Sequence, residues 1–306
     1  MKKSAAKEIW TNRALYSMTL PGIIFFFLFS YLPLFGLVLA FKNFNVVDGI
    51  FGSPWVGLDN FKFYFKSQFA FITTFNTLFL NILFISIGLV VEVVIALLLS
   101  ELKGTRLKKI YQSALFFPAF VSWIIVSLLL YNLLNDKFGI INNLILAPMH
   151  IAPIPWYNKP EYWRGILVAS YLWKNTGYYV VIYLAAILGI DQEMIEAARI
   201  DGTNKLQEIW HITLPHLKTT IAVMLFLQLG RVFFGDFQMI YAIIGDNGML
   251  FPTTDIIDTY VYRALRLNGD LGMGAAVGLY QAILGFIVVI VVNKLGKRYD
   301  ENLSIF

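Results

Sequence analysis

The chain contains no cysteine, so disulfides, thiolate metal sites and a cysteine nucleophile are excluded at the outset. Histidine is nearly as scarce: of the three, His211 and His216 lie five apart around Pro215, a spacing poorly suited to zinc ligation from one helix face. No Gly-x-x-x-x-Gly-Lys-Ser/Thr sequence occurs, so nucleotide phosphates have no loop of that kind to sit in. No nucleophile paired with a base stands out either, and the chain is not expected to be an enzyme or to bind a metal or cofactor of its own. Charge is also short: 14% of residues are charged, against about 25% in a typical soluble domain, while 58% are hydrophobic. That balance describes a polytopic membrane protein. A net charge of +5 is compatible with nucleic acid, but no basic stripe with interleaved aromatics lies on a polar segment, and nucleic-acid binding is not expected.

What fills the sequence is apolar length. A membrane-crossing helix needs about 20 mostly apolar residues, and six runs qualify, at roughly 18–41, 73–99, 112–134, 165–189, 219–244 and 273–293. The longest polar connection is about 30 residues, too short for a soluble domain. The expectation is therefore all-α, a single membrane domain over residues 1–306. The first run follows a basic start and superficially resembles a signal peptide. It is longer than an apolar signal core of about 7 to 15 residues and lacks a small-x-small site at its end, so it is read as a retained helix. Pro118 in the third run is expected to kink or open its helix, having no amide proton and clashing with the preceding turn.

Basic residues orient the runs. With the amino terminus inside, the inner segments hold fourteen Lys and Arg, among them Lys2, Lys3, Lys7, Lys103 and Lys108, and the outer segments hold eight. Cytoplasmic loops carry the excess of Lys and Arg, so both termini are expected in the cytoplasm. The outer segment 42–70 is rich in Phe, Trp and Tyr, as a membrane interface is.

One polar stretch stands out between the fourth and fifth runs, residues 193–215. It favours a helix to Ile200, a stop at Gly202 where the backbone can take a positive φ, and a second helix ending against Pro215. Within it, Glu196-Ala197-Ala198, Gly202, Ile212 and Leu214-Pro215 resemble the EAA motif of permease subunits in bacterial binding-protein-dependent ABC importers, with all seven fixed positions at the family spacing. The segments WKNTGYY, IDTYVYRAL and AAVGLYQAILGF resemble the oligosaccharide and polysaccharide branch of the carbohydrate permeases, the maltose-type group.

The resemblance implies a type I importer permease fold with a cytoplasmic coupling helix, in the bacterial cell membrane. It implies a second related permease, two cytoplasmic ATPase subunits that carry ATP and Mg, an external solute-binding protein and a carbohydrate substrate moved by alternating access. In that setting Ala197 and Ala198 allow close approach to the ATPase and Gly202 makes the tight turn. Glu196 or Asp201 caps or pairs with basic groups, while Leu214 and Pro215 set the angle of the next helix.

Polar residues inside the runs form a separate set. Charges in a membrane are expensive and face a partner, a cavity or a substrate path. Lys174, Asn175, Arg231, Asp236 and Gln238, with the aromatic faces of Trp173, Tyr178 and Phe233, are candidates to line a sugar path. Alternatively, Lys174 or Arg231 pairs with Glu92 or Asp236 to hold helices together. The other reading of the whole chain is a secondary transporter or channel that uses these charges for ion coupling.

Overall fold

The computed structural model describes residues 10–102 and 104–299, so Lys2, Lys3, Lys7 and Lys103 of the charge pattern lie outside the described residues. Among these residues the architecture is all helical, with one isolated bridge, Lys42 to Trp55. Among the described residues four helices are long and apolar enough to cross a membrane, or five when a sharply bent pair is taken as one crossing.

By internal contacts the chain divides into two compact units, one of the part up to Lys66 with Val261–Tyr280, the other of Ser67–Tyr260 with the stretch from Gln281 onward. The first unit holds α1 (Arg13–Phe26), a π turn at Phe27–Tyr31 and a 3-10 run at Leu32–Phe41, together one 29-residue apolar length. Pro33 explains the changes of pitch: it has no amide proton for the carbonyl four residues back and its ring crowds that carbonyl. In the first turn of α2 (Asp59–Lys66), the Asn60 side-chain amide donates to the carbonyls of Ala40 and Lys42, each at 3.0 Å. Lys42 is buried and donates to the carbonyls of Ile50 and Phe51, each at 2.8 Å, beneath the Trp55 ring. Gly272 packs here because a Cβ would meet the Lys42 carbonyl at 2.8 Å, and its absence lets the two backbones approach closely.

The second unit is organised by α3 (Gln68–Glu101), whose 34 residues extend about 51 Å. Its buried positions, Thr73, Thr77, Leu80, Phe84, Gly88, Glu92, Ala96 and Leu99, recur at three and four, so a single face runs the helix length against α6. Next come α4 (Thr105–Phe116), a 3-10 turn at Phe117–Phe120, and α5 (Trp123–Leu134). The two limbs meet at 95°, with Pro118 at the start of the intervening turn. α6 (Trp163–Leu188) is about 39 Å long, enough for a crossing, though Lys174 and Asn175 at its middle lower its hydropathy. Gly177 lets α6 press against the backbone at Leu115 and Phe116, where any Cβ would overlap the chain.

The segment after α6 contains α7 (Gln192–Ile200), α8 (Lys205–Glu208), a π turn at Ile209–Thr213 and α9 (Leu214–Leu229). Two sequence expectations are corrected here. The second short helix does not end against Pro215; it runs on into α9, because Pro215 sits in the first turn of α9 where its missing amide proton costs little. The widened π turn just before it gives the proline ring room. The expected run 219–244 is likewise not one helix: it stops at Leu229 and resumes as α10 (Phe237–Ile244), with residues 230–236 non-helical. Then follow α11 (Ile257–Arg266) and α12 (Leu271–Tyr299).

Candidate functional site: a polar cavity and an exposed helical turn

In the helical turn, Asp191 caps α7 by accepting from the Glu193 amide at 2.9 Å. The helix closes with Gly202 at φ +84°, while the Thr203 amide returns to the Ala198 carbonyl at 3.1 Å. Among the described residues nothing beyond its chain neighbours lies within 4 Å of where a Gly202 Cβ would stand, so the positive φ, and no crowding, asks for glycine. Asn204 and Gln207 form a reciprocal capping box that starts α8.

Arg199 and Glu208 join the two helices through paired hydrogen bonds of 3.1 Å each. Glu208 is 5% exposed, and its carboxyl is held below the usual carboxylate range, first by the Arg199 hydrogen bonds and also by Lys205. The same partner raises the Arg199 guanidinium above its ordinary value. Lys205 reaches Glu208 at 3.3 Å and Glu101 at the end of α3 at 2.8 Å. The bracing ion pair is thus Arg199 to Glu208; Glu196 and Asp201 are exposed and make no ion pair among the described residues. Ala197 is exposed, Ala198 half-buried, and Ile212 and Leu214 half-buried, with Leu214 against the core of α3 and α6. Around the turn, Ile200, Leu206 and Trp210 are 86%, 68% and 67% exposed, an apolar face on a rigidly braced support.

The second feature is a cavity of about 450 Å³ in the second unit, bounded by α3, α6, α9, α10 and the non-helical residues between the last two. Four of the sequence candidates line it, Asn175, Arg231, Asp236 and Gln238, joined by Asn81, Phe84, Tyr171, Tyr179 and Gln228. Its non-helical rim is held from three sides. Asn81 donates to the Val232 carbonyl at 2.9 Å, Gln281 to the Phe233 carbonyl at 2.8 Å, and Asp258 accepts from the Gly235 amide at 2.9 Å. A side chain at Gly235 would collide with Ile256, so the rim also depends on that glycine. Irregular backbone at membrane depth is tolerated where it lines a cavity, and these side chains satisfy the groups that the broken helix frees.

The other candidates lie elsewhere. Lys174 donates to the carbonyls of Ala119 at 2.8 Å and Val121 at 2.6 Å, and lies 5.3 Å from the centre of the Trp123 ring. Trp173 faces an apolar hollow with Val126, Leu130 and Ile166. Tyr178 is exposed beside Phe116, and Phe233 contributes its carbonyl to Gln281. No ion pair joins Lys174 or Arg231 to Glu92 or Asp236 among the described residues. Glu92 is 1% exposed and one of its carboxyl oxygens has no hydrogen-bond partner. Tyr171 and Tyr179 are the residues that sequence reasoning passed over; with Asn175 they stand four apart, one stripe of a helix.

The family model described as binding-protein-dependent transport system inner membrane component matches residues 92–301. The polygalacturonan/rhamnogalacturonan transport system permease protein YteP of Bacillus subtilis (strain 168) is 38% identical over 301 residues, 98% of this chain and 93% of that protein. Protein LplB of the same organism is 34% identical over 291 residues, 95% and 91% of the respective chains. Among solved structures, a chain of a bacterial ABC transporter involved in the import of the acidic polysaccharide alginate superposes with a TM-score of 0.89 at 31% identity, over 97% of this chain and 100% of that one. A chain of a bacterial alginate ABC transporter, in complex with alginate pentasaccharide-bound periplasmic protein, gives 0.86 at 31% identity, over 96% and 97%.

Proposed function

The chain belongs to the family of binding-protein-dependent transport system inner membrane components, and from that premise we propose that it is a permease subunit importing oligosaccharides or polysaccharide fragments. It is a non-catalytic, multi-pass subunit of the inner membrane, a single permease domain of the type I fold with both termini in the cytoplasm. A second related permease completes the pathway, an external binding protein delivers the sugar, and two ATPase subunits carrying ATP and Mg drive alternating access. The relatives named for polygalacturonan and alginate transport support a polysaccharide-derived substrate.

The observation that carries coupling is the exposed apolar face of Ile200, Leu206 and Trp210 on a turn braced by Arg199 and Glu208. Large apolar side chains held out from a rigid support mark a protein contact. ATPase docking at residues 193–215 places Glu196, Ala197, Ala198, Asp201 and Gly202 at the contact, with Ile212, Leu214 and Pro215 leading its motion into α9. Substrate passage is assigned to the cavity at the break between α9 and α10, with Asn175, Arg231, Asp236 and Gln238 as lining groups. Co-expression with a partner permease and ATPase subunits, followed by ATP-dependent sugar uptake in proteoliposomes, tests the reading. Uptake without an ATPase would instead favour a secondary transporter.

A further inference from the structure

The charges at the cavity are unequally committed. Asp236 spends its carboxylate as the cap of α10, accepting from the Met239 amide at 2.9 Å, and it also meets the Trp123 side chain. Arg231 sits just past the carboxyl end of α9 and lines the cavity, yet no carboxylate lies within 4 Å of it among the described residues. Its position is not loose. The following residues are anchored by Asn81 at Val232 and by Gln281 at Phe233, so the backbone that carries the guanidinium is fixed. The neighbouring Gln228, also in the lining, has a buried amide nitrogen with no hydrogen-bond partner.

An exposed guanidinium with no carboxylate beside it and a buried amide donor without a partner line the same cavity, so a ligand that is anionic and rich in acceptors would meet both. A guanidinium is a planar fork that matches a carboxylate through two parallel hydrogen bonds. The Tyr171 ring, half-buried in the lining, is held in place by stacking on the buried Phe84 ring with centroids 4.5 Å apart, and gives the cavity one aromatic surface. We propose that Arg231 is the carboxylate-reading group of this cavity and that the chain passes acidic, uronate-bearing oligosaccharides. This rests on the cavity being the sugar path.

The test uses the reconstituted permease–ATPase complex without the external binding protein, whose own selectivity would otherwise enter. The probes are trigalacturonate and its fully methyl-esterified form, which keep the sugar skeleton and differ in charge. Equilibrium binding is expected to be about tenfold or more tighter for the acid, with R231Q removing the difference and R231K retaining part of it. Equal binding of acid and ester by the wild-type complex overturns the charge reading and leaves the sugar path standing. Binding of neither form by a complex that still hydrolyses ATP overturns the sugar path beneath it. An acid preference undiminished in R231Q, or in R231K where R231Q fails to fold, overturns the assignment to Arg231.

Discussion

Arg199 and Glu208 stand on opposite sides of the turn at Gly202 and close it with two hydrogen bonds of 3.1 Å. The pair makes residues 193–215 a stiff bracket, and stiffness is what a part needs if it is to pass a displacement from one subunit to another. Arg199→Ala leaves the Glu208 carboxylate facing Lys205 alone, and sugar-stimulated ATP hydrolysis in the reconstituted complex is expected to fall about tenfold. The exchange of the two charges, Arg199→Glu with Glu208→Arg, is expected to restore part of it.

The same pair sets a pH dependence. Because the Glu208 carboxyl lies below its ordinary value in the folded chain, its contribution is fully present above the unfolded value and is lost as pH falls through the folded one. Thermal stability attributable to Glu208, measured against Glu208→Gln, is therefore expected to stay level from pH 8 down to about 5 and to shrink only in more acid solution.

Gly202 and Gly177 are expected to fail differently on substitution. Gly202→Ala meets open space and only the penalty of a positive φ, about 1 kcal/mol, so the protein inserts and folds. Gly202→Asp adds charge and bulk at the proposed ATPase contact; coupled uptake is expected to vanish while expression persists. Gly177→Ala drives a methyl into the Leu115 carbonyl and must push α4 and α6 apart, so thermal unfolding of the purified complex shows a large loss.

These contrasts show what the sequence carried. The helices, the positive φ at Gly202 and the bend at Pro118 follow from local chemistry, since apolar length, glycine freedom and a missing amide proton act over a few residues. The break after Leu229 was not legible, because nothing in 230–236 forbids a helix by composition; Asn81, Asp258 and Gln281, distant in sequence, hold it open. The cavity was half legible. Arg231, Asp236 and Gln238 announced themselves as polar residues in an apolar run, whereas Lys174 did so for another reason, to satisfy carbonyls freed at the bend. Attention to the four-residue stripe of Tyr171, Asn175 and Tyr179 would have found the lining of α6.

Lys174→Met removes the donor to the Ala119 and Val121 carbonyls while keeping much of the side chain's length. Each orphaned carbonyl costs about 1–3 kcal/mol, so the melting temperature of the purified complex is expected to drop. Binding of sugar at saturating concentration is expected to survive, since Lys174 does not line the cavity.

The absence of cysteine allows the most direct measurement of the central claim, that the exposed turn docks an ATPase. Leu206→Cys, labelled with a thiol-directed photocrosslinker in the otherwise cysteine-free chain, is expected to capture the ATPase subunit, more strongly or weakly according to the nucleotide bound. Val47→Cys, 89% exposed in the segment that the charge pattern is expected to place outside, provides the comparison and is expected to leave the ATPase uncaptured. A Leu206→Cys complex that transports sugar and yet yields no crosslink to the ATPase, with or without nucleotide, would contradict the docking role.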